Sequence, residues 1–103
     1  MTLEELKIKC EEQGFKYAYG VFKEEVEPPH LIAITRDTNN FFADNKVYLK
    51  DTPIQLDYTY IEKNIEKQNK IENIILADLA WDKTEETYLP DEDVWQVSYF
   101  FEI

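Results

Sequence analysis

Cysteine, histidine and methionine each occur once in this chain of 103 residues, and glycine twice. A lone cysteine, Cys10, has no partner for an intramolecular disulfide, so a disulfide-stapled architecture is excluded. A lone histidine, His30, rules out metal sites built from several imidazoles and leaves Cys10 with His30 as the single Cys–His combination available. Read by position, Cys10 is a small apolar residue on a helix and His30 the opening residue of a strand. Two glycines leave no GxGxxG and no Walker loop, hence no backbone cradle for phosphate. No run of 18 or more apolar residues occurs and no secretory n-region and h-region opens the chain, so a cytosolic, non-membrane origin is the expectation.

Positive charge is the other scarcity: 11 Lys and Arg stand against 22 Asp and Glu, a net charge of −11. Duplex DNA is repelled by such a field, no local basic patch overrides it, and direct sequence-specific nucleic-acid binding is not expected. Residues 80–103 alone carry −6 of that total.

What is present suffices for one core. Hydrophobic residues make up 44% and aromatics 15% of the chain, which argues against disorder and for a single domain over residues 1–103. Thr2 with Glu5 three residues later forms a capping box, Leu3, Leu6 and Cys10 make an apolar stripe, and Gly14 stops the turn, so a helix is predicted over 3–13. "FKYAYGVF" alternates as a strand with Gly20 a possible bulge, and "HLIAITR" reads as its hairpin partner beyond Pro28 and Pro29. "IQLDYTYI" places Ile54, Leu56, Tyr58 and Tyr60 on one face of a strand. Ile61, Ile65, Ile71, Ile74, Ile75 and Leu79 then recur at helical spacing, predicting an amphipathic helix near 62–79. A weak strand in "AWDKTEETYL" turns through "PDED" into "VWQVSYFFEI". The expected fold is α+β: a mainly antiparallel sheet of four to five strands with two helices packed on it, in the order α-β-β-β-α-β-β.

Chemistry is sparse. "DTNNFFADN" alternates oxygen-bearing residues but lacks the Gly and Glu that a calcium loop of the EF-hand kind needs, so its Asn and Asp read as turn residues. The carboxylates of Glu85, Glu86, Asp91, Glu92 and Asp93 read as a solvated acidic loop or as an acidic surface with a purpose. No nucleophile, base and orienting group can be nominated together, so no catalytic, cofactor-binding or metal residue is assigned and an enzyme is not expected. Phe41 and Phe42 stand out within "NNFFADNKVY". Adjacent residues of an extended backbone point to opposite sides, so one ring can enter the core while the other projects as an anchor for a neighbouring subunit.

The run "EPPHLIAITRDTNNFFADNKVYLKDTPIQLDYTY" resembles the tail-terminator-like proteins encoded among head-tail and tail genes of siphophages and prophages of Gram-positive bacteria. The likeness is carried by Glu27-Pro28-Pro29 before a β-rich strand, by Asp44-Asn45-Lys46-Val47-Tyr48 after the Phe pair, by the alternating strand that leads into a helix, and by the Tyr- and Phe-rich ending. It implies a virion structural protein, a ring homo-oligomer and usually a hexamer, which caps the tail tube at the head-tail junction after assembly in the host cytoplasm. The implied partners are further copies, the major tail tube protein and the head-completion or connector protein, with no cofactor. On that reading Phe41, Phe42, Asp44, Asn45 and Tyr48 form the subunit or partner interface. An acidic wall repels phosphate, so Glu85, Glu86, Asp91, Glu92 and Asp93 are the expected lining of a DNA channel, with Glu24, Glu25 and Glu27 second. A head-completion or joining protein is the alternative, and an acidic DNA-mimic inhibitor a more distant one.

Overall fold

The Thr2 hydroxyl accepts the Glu5 amide at 3.1 Å and the Glu5 carboxylate accepts the Thr2 amide at 2.8 Å, so two donors that a helix start leaves unpaired are both satisfied. Helix α1, Leu3–Glu12, follows from this cap. It ends at Gly14, whose φ of 86° suits a residue without a Cβ. In the computed structural model, residues 1–36 and 52–103 are described. After α1 come β1 (Lys16–Tyr19), β2 (His30–Thr35), β3 (Pro53–Tyr60), α2 (Ile65–Lys70) with a π-helical turn (Ile71–Ile75), β4 (Trp81–Lys83), β5 (Thr87–Leu89) and β6 (Val94–Glu102).

The six strands form one sheet in the order β1-β2-β3-β6-β4, with β5 also paired to β6. The fold is α+β, and four of the five strand pairings are antiparallel. The expected hairpin between the first two strands is not formed: β1 and β2 run parallel, Lys16 opposite His30 and Tyr19 opposite Ala33. The connection 20–29 is long enough to carry the chain back to the level where β1 began. Gly20, at φ 85°, turns the chain out of β1 rather than bulging within it, and Lys16 Nζ donates to the Glu27 carbonyl at 2.5 Å, tying the returning segment to the strand start.

The strand count exceeds the expected four to five because the weak strand is broken in two. From Lys83 to Thr87 the chain takes four steps while its partner takes three, from Tyr99 to Gln96. One residue is therefore in excess at 84–86, a β-bulge. Thr84 stitches it down, its amide donating to the Ser98 carbonyl at 3.0 Å and its hydroxyl accepting the Ser98 amide at 3.1 Å.

Strand pleating sorts the sheet into two faces. Leu31 and Ala33, Ile54, Leu56, Tyr58 and Tyr60, and Val97, Tyr99 and Phe101 are buried on one face. They form one core with Leu6 and Cys10 of α1 and Ile71, Ile75 and Leu76 of the second helical segment. Both helices thus lie on this face. The second is shorter than the predicted 62–79: the Asn64 side chain accepts the Lys67 amide at 3.1 Å, capping the helix start at Ile65 and leaving Ile61 outside. At its far end the Leu76 amide donates to the Ile71 carbonyl at 2.9 Å, five residues back. That widened turn buries Ile71, Ile75 and Leu76 together and leaves Ile74 exposed. A polar strut fastens it to the sheet, since the Tyr99 hydroxyl donates to Glu72 at 2.6 Å and Lys83 pairs with the same carboxylate at 2.8 Å.

The opposite face carries His30, Ile32, Ile34, Gln55, Asp57, Thr59, Gln96, Ser98 and Phe100, by the register of β2, β3 and β6. The Asp57 carboxylate accepts from Gln55 at 2.8 Å and Ser98 at 2.6 Å, and Arg36 lies 4.8 Å above the Phe100 ring. Among the described residues no helix packs on this face.

Candidate functional site

Two features of the surface combine chemistry with shape. The first is a groove of about 500 Å³ on the helix-free face. His30, Thr59 and Gln96 stand in one row across β2, β3 and β6 and, with Ile32, form its floor. One wall is the segment 25–28, and the other is Leu89, Glu92 and Val94 from the β5–β6 hairpin. Both walls exist for local reasons. The Lys16 ammonium holds the first by the Glu27 carbonyl. The hairpin turns because the Glu92 amide reaches the Leu89 carbonyl at 3.2 Å and Asp93 takes φ 56°, a conformation that Asp tolerates.

His30 sits with its ring 5.1 Å from that of Phe22 in an edge-on arrangement. Burial pushes its pKa down and the Lys16 charge adds to the effect, both favouring the neutral imidazole. Its Nδ1 is buried and has no hydrogen-bond partner among the described residues.

The structure distributes the acids singled out in the sequence. Glu25, Glu27 and Glu92 line the groove, while Glu24, Glu85 and Asp91 are exposed. Asp93 is a turn residue whose carboxylate accepts from the Tyr88 hydroxyl at 2.5 Å. Glu86 is engaged as well: the bulge carries it to Lys63, 2.5 Å away, and to the hydroxyl of buried Tyr60. The Lys63 contact first, then the Tyr60 hydroxyl, holds its carboxyl below the usual range. A depressed folded-state pKa contributes stability above the unfolded value, near 4.5 here, which is lost as pH falls through the folded value. Glu86→Gln is therefore destabilising at neutral pH, and urea titrations taken down to about pH 3 will show its deficit closing below the unfolded pKa. A deficit independent of pH would mean the carboxylate contributes by packing alone.

The second feature is aromatic. Tyr88 and Trp95 face each other across β5 and β6 with ring centroids 5.3 Å apart, and they remain 43% and 39% exposed. Alternation along β6 puts Trp95 on the same face as Val97, Tyr99 and Phe101. It lies on the helix-covered face, beyond what the helices cover, and nothing in the sequence pattern marks where cover stops. The expected interface residues Phe41, Phe42, Asp44, Asn45 and Tyr48 lie outside the described residues.

Cys10 and His30 are not brought together. Cys10 is in the core beneath the helices, where burial raises its thiol pKa to about 12, and His30 is on the other face of the sheet. Among the described residues no group of three or more His, Cys, Asp and Glu side chains is placed to hold a metal ion, and no helix is long and apolar enough to cross a membrane. No family model matches the sequence, and no curated protein matches it.

Proposed function

We propose that this protein is a non-enzymatic component of a phage or prophage virion, a tail terminator that joins copies of itself into a ring, a hexamer by its resemblance, on the end of the tail tube. Its partners on this reading are the major tail tube protein and the head-completion or connector protein. The observation that carries the reading is the Tyr88–Trp95 pair, two large rings left in water on a hairpin, where contact with another subunit removes them from solvent. The exposed acids Glu85 and Asp91 flank the same hairpin and supply the phosphate-repelling surface that a DNA channel needs.

Sedimentation velocity of the purified protein tests the assembly. The native chain forms a discrete ring-sized species, and Tyr88→Ser with Trp95→Ser shifts it to monomer with an unchanged fold. A native chain that stays monomeric even with tail tube protein present sinks the ring. Electron microscopy of phage lacking the gene tests the role, with overlong tails expected. Tails of normal length that fail to join heads move the role to head completion, and unaltered virions refute both.

A further inference from the structure

We propose that the groove between segment 25–28 and the β5–β6 hairpin holds an extended, arginine- or lysine-bearing segment of a partner protein. This goes beyond the ring reading and does not rest on it, because the groove and the Tyr88–Trp95 pair lie on opposite faces of the sheet.

The sign of the charge comes first. Glu25 and Glu27 stand on one wall and Glu92 on the other, and among the described residues no Lys or Arg lines the groove. The Lys16 ammonium, which donates to the Glu27 carbonyl, offsets one of these three carboxylates and leaves the groove net negative. Acids on both sides of one channel create a potential that a low-dielectric floor focuses, so a cation entering it gains from two directions. Phosphate is excluded by the same field.

The surfaces between the acids narrow the class. Val26, Pro28, Leu89 and Val94 give the groove apolar flanks and Ile32 an apolar patch of floor, which suit the aliphatic stems of Arg and Lys better than a hydrated inorganic cation. Thr59 and Gln96 supply polar contacts along the floor. The occupant is thus a chain whose basic side chains alternate with small or apolar ones.

The probe is a fluorescein-labelled octapeptide alternating Arg and Ala, with Glu–Ala and Gln–Ala peptides as controls, read by fluorescence anisotropy at about 150 mM salt, where distant charges are screened. The Arg peptide binds, the other two do not, and NMR shifts concentrate at His30, Ile32, Thr59 and Gln96. Replacing Glu25, Glu27 and Glu92 together by Gln weakens binding about tenfold or more. Replacing Glu4, Glu11 and Glu12 of α1 by Gln changes the net charge equally and weakens it less than about twofold. Equal weakening by both triples assigns binding to the overall field and overturns the proposal, as does absence of binding or a shift pattern away from the groove floor. Trp95→Ser alone, which keeps the Tyr88 contact to the Asp93 turn, leaves peptide binding intact while weakening self-association, so loss of the ring and loss of the groove are separately visible.

Discussion

Replacing Leu56 with alanine lowers the unfolding free energy by about 3 kcal/mol. Leu56 is 0% exposed at the middle of β3 and stands in register between Ala33 on β2 and Tyr99 on β6. Ala33 is too small to fill the space left behind. Tyr99 is held by its hydrogen bond to Glu72 and cannot swing across without losing it. The cavity therefore stays open, which puts the cost near the middle of the range for buried leucines. Gln55→Ala, one residue away on the opposite face, loses the contact to Asp57 and costs about 1 kcal/mol. Urea denaturation of both variants checks the contrast, and a Leu56→Ala loss below about 1 kcal/mol would contradict the packing.

Leu76→Ala gives the second large effect, also about 3 kcal/mol, and it tests the shape of the second helix. In a regular helix each residue advances about 100°, so five residues past Ile71 a side chain has turned well away from the core. The widened turn instead places Ile71, Ile75 and Leu76 all at 0% exposure. Ile74, 48% exposed, is the residue displaced outward, and Ile74→Ala costs under about 1 kcal/mol. The reverse ranking would indicate an unbroken α-helix through this region.

Those two sites also separate what local sequence determines from what it does not. The capping box at Thr2 and Glu5 and the alternation through Ile54, Leu56, Tyr58 and Tyr60 act within a few residues of themselves, and both elements form where the pattern puts them. The π turn is chosen by the sheet beneath it, because Ile71, Ile75 and Leu76 all find core contacts only if the backbone widens. The parallel pairing of β1 with β2 is likewise non-local. A strand, a proline-bearing connection and another strand are compatible with either direction, and the ties that fix this one, such as Lys16 to the Glu27 carbonyl, span residues eleven apart. The site divides in the same way. The surplus of acid was plain in composition, but the meeting of Glu25 and Glu27 with Glu92 across one groove depends on β2, β3 and β6 lying side by side. The local engagements of Glu86 and Asp93 depend on a bulge and a turn that composition does not reveal.

The bulge at 84–86 also bears on how this protein behaves when concentrated. A long straight strand at the border of a sheet is an open template on which another chain can polymerise. Here one border is split into two strands of 3 residues each by the bulge, and the other, β1, has 4 residues before Gly20 turns the chain away. Among the described residues neither row offers more than four residues in line, which blunts edge-to-edge pairing and favours association through side chains, where shape limits how many copies add and in which orientation.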